Sequence, residues 1–208
     1  MNFIDFKNKL NPFIIFSLND IRKIEVDFDV RRLSEWNSKG YIRRIRREYY
    51  MFADTSIDDH VLYLIANVMY EPSYISLETA LSLHGLIPET VHAITSATSR
   101  KTAQFTTDVG IFSYRSFRPS LMFGYVLKPC ADRTYRLAEP EKAVLDYLYL
   151  HPSLRQNADF EGMRFNAREF AGMVDWQKYG SYAHRFNSVA LLERSEALKK
   201  YVEGVSLT

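Results

Sequence analysis

The chain has 208 residues, of which 47% are hydrophobic and 25% charged, an ordinary balance with enough apolar surface to fill a core. Its single cysteine, Cys130, excludes an intramolecular disulfide and a cysteine-rich zinc site, and suits a reducing compartment. The net charge of +2 excludes a chain that is polybasic throughout, yet residues 1–52 hold 11 Lys/Arg against 7 Asp/Glu (net +4) and the remainder 16 against 18 (net −2). That asymmetry is expected of a module that meets phosphates joined to one that meets protein. No apolar run approaches the ~20 residues needed to span a bilayer, and the charged, amphipathic start MNFIDFKNKL is unlike a signal peptide. A cytoplasmic location and no membrane partner are expected.

In chain order, Phe3, Phe6, Leu10 and Phe13 recur at helical spacing, and Pro12 is expected to close that helix. Ser17 and Asp20 form a capping-box pattern that starts a second helix over Leu18–Glu25, with Ile21 and Ile24 inward. After the link Val26–Phe28, Asp29 is the expected N-cap of a third helix carrying Leu33 and Trp36 on one face, and Gly40 its stop. Tyr41, Ile45, Tyr49 and Tyr50 then supply strand-forming side chains around Arg43, Arg44, Arg46 and Arg47. Three helices followed by a basic hairpin have the form of a winged helix-turn-helix, so the polar stretch Ala53–Asp59 is the expected boundary between residues 1–54 and 55–208.

The second part reads as mixed. His60–Tyr70 predicts a buried helix ended by Glu71-Pro72, and Ser76 caps a helix through Leu83 with Gly85 just past it. Val91–Thr98 is strand-like, Gln104–Thr107 and Ile111–Tyr114 suggest a hairpin, and Tyr125–Lys128 and Tyr135–Leu137 are further short strands. Pro140 opens a helix with an apolar stripe to Leu150, ended by His151-Pro152, and Asn166–Met173, Asp175–Tyr182 and Asn187–Val202 predict three more. The expected fold class is α+β: an N-terminal winged helix-turn-helix, then a mixed α/β domain with short strands and C-terminal helices.

The sharpest chemical signal is four arginines within five positions, 43, 44, 46 and 47, which repel one another unless an anion lies between them. Strand alternation puts Arg44 and Arg46 on one face and Arg43 and Arg47 on the other with Ile45. A turn near Arg46–Glu48 would raise its arginines toward phosphates or a narrow minor groove. Arg31, Arg32, Lys39 and Asn37 would meet base edges or backbone from the third helix. The expected DNA-binding residues are therefore Arg31, Arg32, Lys39, Arg43, Arg44, Arg46 and Arg47. Ser96, Thr98, Ser99, Arg100 and Lys101 read either as a phosphate loop at a strand end or as a polar loop. His84 and His92 lack companions for a metal shell. Glu139, Glu141, Lys142 and Asp146 hold the residue types of a metal-dependent nuclease, but on a helix rather than the usual strand. With no glycine-rich phosphate loop, G-x-S-x-G or H-E-x-x-H, no enzyme, cofactor or metal is expected.

Three stretches together resemble the AbiEi family of antitoxins from type IV (abortive-infection) toxin–antitoxin systems. They are Gly40-Tyr41-Ile42 through Arg46-Arg47-Glu48-Tyr49-Tyr50, Tyr74-Ile75-Ser76-Leu77-Glu78-Thr79-Ala80-Leu81 with His84-Gly85-Leu86-Ile87-Pro88, and Ala138-Glu139-Pro140-Glu141-Lys142-Ala143-Val144-Leu145-Asp146. The resemblance implies a bacterial winged-helix repressor of its own operon that binds double-stranded operator DNA. It also implies neutralisation of a cognate nucleotidyltransferase-like toxin without a stable complex. By position, Arg43, Arg44, Arg46 and Arg47 match the basic wing of that family, and Arg31 and Arg32 its recognition helix. The chain departs from many relatives in carrying Glu48 where they have glycine. The alternative is a stand-alone winged-helix regulator whose larger domain senses a ligand or a protein.

Overall fold

The computed structural model of the protein describes residues 1–88, 92–131 and 133–206, and over these it is α+β, with ten α-helices and two sheets. The first helix, α1 (Phe3–Leu10), starts where Asn2 caps the Asp5 amide and ends before Pro12, so Phe13 lies beyond the helix whose face it is expected to share. Next comes β1 (Phe16–Ser17), a two-residue strand too short to show any periodicity. Ser17 then opens α2 (Leu18–Ile24) through a complete capping box: the Asp20 amide donates to Ser17 Oγ at 3.2 Å and the Ser17 amide to Asp20 Oδ2 at 2.9 Å. After α3 (Arg31–Ser38), strands β2 (Ile42–Arg46) and β3 (Tyr49–Phe52) complete an antiparallel sheet of order β1-β3-β2.

One buried cluster lies wholly within these residues and is largely aromatic: Phe6, Phe16, Phe28, Trp36 and Phe52, with Leu10, Ile21, Leu33 and Ile42. Phe6 alone packs its ring against Phe16, Phe28, Trp36 and Phe52 at centroid separations of 4.6–6.0 Å. Ile15, Ile45 and Met51 belong instead to the larger cluster that fills the rest of the molecule. The first 52 residues thus have their own core and also lend three buried side chains to the second, with partly buried Ile14 and Tyr49 packed beside them.

The remainder is built on a six-stranded mixed sheet. Asp58 caps α4 (Asp59–Met69) by accepting the Val61 amide at 2.9 Å. There follow β4 (Ser73–Ile75), α5 (Leu77–Leu83), β5 (Ala93–Thr98), β6 (Ala103–Thr107), β7 (Gly110–Ser116), β8 (Tyr125–Cys130) and β9 (Arg133–Ala138), in the spatial order β6-β7-β5-β4-β9-β8. Of the expected strand Val91–Thr98, Val91 lies outside the described residues. The chain closes with α6 (Pro140–Leu150), α7 (Asn157–Gly162), α8 (Ala167–Met173), α9 (Trp176–Arg185) and α10 (Val189–Ser206). Neither strand β4 nor helix α7 follows from the sequence pattern: a three-residue strand carries no alternation, and a six-residue helix little periodicity.

Successive residues of β4 point to opposite faces and so assign the layers. Tyr74 and Ser76 both donate to Asp146 Oδ2 on α6 at 2.8 Å. On the other face, Ile75 lies in register with Ser96 and, through it, with Tyr114, whose hydroxyl donates to the Ala66 carbonyl of α4 at 2.7 Å. Helix α4 therefore covers one face of the sheet and α6 the other, while α5 is pinned beside α6 by the Thr79 amide donating to Thr95 Oγ1 at 2.9 Å. No helix is long and apolar enough to cross a membrane among the described residues.

Candidate nucleic-acid interface

Helix α3 is set by its two ends. At the start, Asp29 Oδ1 accepts the Arg31 amide at 3.1 Å, although the helical backbone already includes Val30. At the other end, the Tyr41 amide donates to the Trp36 carbonyl at 2.9 Å and the Gly40 amide to the Asn37 carbonyl at 3.1 Å. These are the two bonds of a Schellman stop, and Gly40 supplies its left-handed residue at φ +70°. Asn37, expected to face a base, instead accepts the Arg44 amide on Oδ1 at 3.0 Å and so ties the helix to the hairpin. Leu33 and Trp36 are buried.

Arg31, Ser34, Glu35, Asn37 and Ser38 form the exposed surface of α3, continued by its C-cap Lys39. Its cations are not bare: Arg31 Nε lies 3.0 Å from Asp29 Oδ1, and Lys39 Nζ 2.6 Å from Glu35 Oε1. The hydrogen bond from Arg31 holds the Asp29 carboxyl below the usual carboxylate range, and that from Lys39 does the same for Glu35. Such exposed pairs are weak because solvent screens them, so a stronger anion can displace them. Arg32 is half-buried and donates to the Met1 carbonyl, at the wall of a groove formed with Asn2, Phe3, Glu35 and Trp36.

The hairpin departs from simple alternation. Arg43 pairs with Met51 and Arg44 with Tyr50, but Arg46 pairs with Tyr49, so Ile45 is an extra residue on β2. The expected two-and-two division of the arginines therefore fails. Arg44 and Arg47 are exposed, whereas Arg43 donates to the Ala53 carbonyl at 3.1 Å. Arg46 turns inward: its guanidinium lies 3.8 Å from the Phe105 ring centroid and donates to the Met69 carbonyl at 3.2 Å. The turn itself is Arg47-Glu48, with Glu48 at φ +68° and its carbonyl accepting the Leu18 amide at 3.1 Å.

Other groups singled out in the sequence sit differently. Ser96 and Thr98 are buried within β5, where Thr98 Oγ1 donates to the Pro72 carbonyl at 2.7 Å and accepts the Arg100 amide at 3.1 Å, so neither hydroxyl lies in the exposed turn with Arg100 and Lys101. His84 Nε2 lies 2.8 Å from the Ala138 carbonyl, and burial pushes its pKa down. No group of three metal-binding side chains exists among the described residues.

Lys142 and Asp146 are both fully enclosed and paired with each other. Lys142 also donates to the Tyr74 hydroxyl at 2.6 Å, and the rings of Tyr74, Phe117, Phe123 and Phe186 stand 4.9–5.6 Å from its ammonium. Burial pushes Lys142 down and Asp146 up, and their mutual attraction opposes both shifts. Glu141 and Glu139 face α9, where Lys178 lies 3.1 Å from each. In this arrangement the four residues brace α6 rather than open onto a substrate space. An ionic pair at i and i+4 among apolar neighbours is a legible signal; its partners Tyr74 and Ser76, 72 and 70 residues away, are not.

No family model matches the chain, and no curated protein matches it. Among solved structures, the chain is similar to the RV2827C protein from Mycobacterium tuberculosis, with 12% identity, a TM-score of 0.46, and coverage of 95% of this chain and 79% of that one. A likeness that distant fixes neither fold nor function.

Proposed function

We propose that residues 1–54 are a winged helix-turn-helix and that the protein is a DNA-binding transcriptional repressor and antitoxin of a type IV toxin–antitoxin system. The observation that carries the DNA reading is the coupling of α3 to the arginine hairpin. A Schellman stop at Gly40 and the Asn37–Arg44 bond hold the helix and β2 as one unit, with Arg44 and Arg47 exposed beside it. Among the described residues, no carboxylate lies within ion-pair distance of either guanidinium. The order helix, strand, helix, helix, strand, strand with a β1-β3-β2 sheet supports the winged-helix assignment.

In this reading α3 enters the major groove of double-stranded operator DNA. Arg31 and Lys39 exchange their pairing with Asp29 and Glu35 for base edges and phosphates, and Arg44 and Arg47 hold the adjacent backbone. Arg32, Arg43 and Arg46 act by position, each already bonded to the main chain. The antitoxin half of the proposal rests on the AbiEi-like stretches Tyr74–Pro88 and Ala138–Asp146, with a nucleotidyltransferase-like toxin as the functional partner.

Fluorescence anisotropy with a duplex spanning the DNA upstream of the gene tests the first half. Arg44→Ala/Arg47→Ala should lower affinity and reduce the slope of log K against log salt by about 0.9 for each phosphate no longer neutralised. Wild-type affinity and slope in that variant would refute the wing assignment. Co-expression with a neighbouring nucleotidyltransferase-like gene tests the second half: growth rescue is expected, and toxicity that persists despite folded protein removes the antitoxin role.

A further inference from the structure

The hairpin does not stand alone on its side of the molecule. Tyr70, at the end of α4, carries two guanidinium groups: Arg46 at 5.6 Å and Arg100 at 4.3 Å from its ring centroid. Its hydroxyl donates to the Lys101 carbonyl at 3.0 Å. One aromatic side chain thus joins the hairpin to the turn between β5 and β6. Arg100 is further fixed by its amide donating to Thr98 Oγ1 at 3.1 Å and its guanidinium to the Glu71 carbonyl at 3.4 Å.

The charge balance of this corner is positive. Arg100 and Lys101 are exposed, and neither has an ion-pair partner among the described residues. Of the nearby carboxylates, Glu71 is engaged with Arg136 at 3.6 Å and Asp20 with Lys23 at 3.4 Å and with Ser17, while exposed Glu48 at the hairpin turn offsets one of the positive charges. Two guanidinium groups on one ring, neither with a carboxylate at ion-pair distance among the described residues, repel one another in the free protein. That repulsion is relieved when a polyanion is bound.

We propose that Arg100 and Lys101 form a second phosphate-binding edge, continuous with the hairpin, that grips the backbone of the same double-stranded DNA beyond the reach of α3. This rests on the DNA-binding reading and extends it to the larger part of the chain, which by net charge alone is acidic. Arg46 is the positioning residue: stacked on Phe105 and Tyr70, it holds the hairpin against β6 and against the ring whose hydroxyl bonds the Lys101 carbonyl. Phosphate contacts carry no sequence information, so this edge adds affinity without preference.

The test is anisotropy over a salt series with two duplexes, the upstream DNA and a scrambled duplex of equal length, using the full chain. For Arg100→Ala/Lys101→Ala the salt slope should fall by about 0.9 for each phosphate released, on both duplexes alike, leaving their affinity ratio unchanged. Wild-type slope and affinity in this variant, with both reduced in Arg44→Ala/Arg47→Ala, would overturn the second edge and leave the hairpin reading standing. Absence of wild-type binding, or no effect of either double variant, would remove both. A changed affinity ratio would assign these residues to base reading and also refute the proposal. Should the Arg100 change unfold the protein, Lys101→Glu alone decides, since the Lys101 side chain is exposed.

Discussion

The guanidinium of Arg46 lies 3.8 Å from the centroid of the Phe105 ring, so a side chain expected at the tip of a DNA-binding hairpin instead anchors that hairpin to the edge strand of the second sheet. A desolvated cation–π stack is worth about 1–2 kcal/mol, and the bond to the Met69 carbonyl adds to it. Arg46→Ala should therefore cost about 2 kcal/mol of stability. It should also speed limited proteolysis within residues 53–58, and Arg46→Lys should recover only part of the loss because ammonium cannot stack as a plane. Equal urea midpoints for all three proteins would show that the stack contributes nothing.

Glu48 holds a left-handed backbone at φ +68°, a conformation that costs an ordinary L-residue about 1 kcal/mol and glycine little. Glu48→Gly should raise the melting temperature, whereas Glu48→Ala should leave it nearly unchanged. If the DNA reading holds, both should bind duplex more tightly by removing a negative charge beside Arg47. A lower melting temperature for the glycine variant would mean that the glutamate side chain supports the turn.

The enclosed Lys142–Asp146 pair makes an asymmetric prediction. Removing one partner leaves an unpaired charge in a space lined by four aromatic rings, so Asp146→Ala should cost about 3–5 kcal/mol. The double change Lys142→Met/Asp146→Ala should cost less than the sum of the two single changes. Chemical denaturation of the three variants gives the coupling directly; additive losses would contradict it.

Gly124 is needed beside that pair. It has φ +70°, and a Cβ there would stand 2.9 Å from Tyr182 Cε2, 3.0 Å from Lys142 Cγ and 3.1 Å from Lys142 Cβ. Tyr182 is held by its hydrogen bond to Glu139 Oε2 at 2.7 Å, and the Lys142 stem is fixed within α6. Gly124→Ala should destabilise by about 2–4 kcal/mol from overpacking and backbone strain together. Insensitivity of the unfolding midpoint would show that β8 can shift away from α6.

His84 provides a pH test. Burial depresses its pKa in the fold below the ordinary 6.5, so between the folded value and 6.5 the unfolded chain binds more protons. Stability from this group is complete above pH 6.5 and is lost as pH falls below it. His84→Gln should flatten that part of the stability curve relative to wild type; parallel curves would mean that the imidazole titrates alike in both states.

The features legible in the sequence on its own lie in short range. The Ser17–Asp20 capping box, the Gly40 stop of α3, the Asn166 helix start and Pro140 at the head of α6 all act within four residues, and the local pattern states them directly. Packing decides what depends on partners far along the chain. Strand β4, three residues long, exists because β5 and β9 pair with it. Asp146 is a brace because Tyr74 and Ser76, on and just after β4, reach it from the face of the sheet that α6 covers. The four arginines of the hairpin look equivalent in sequence, yet a one-residue bulge and an aromatic pair outside the hairpin leave Arg44 and Arg47 outward and turn Arg46 in. Register and packing assign side-chain direction, and neither is a property of the hairpin alone.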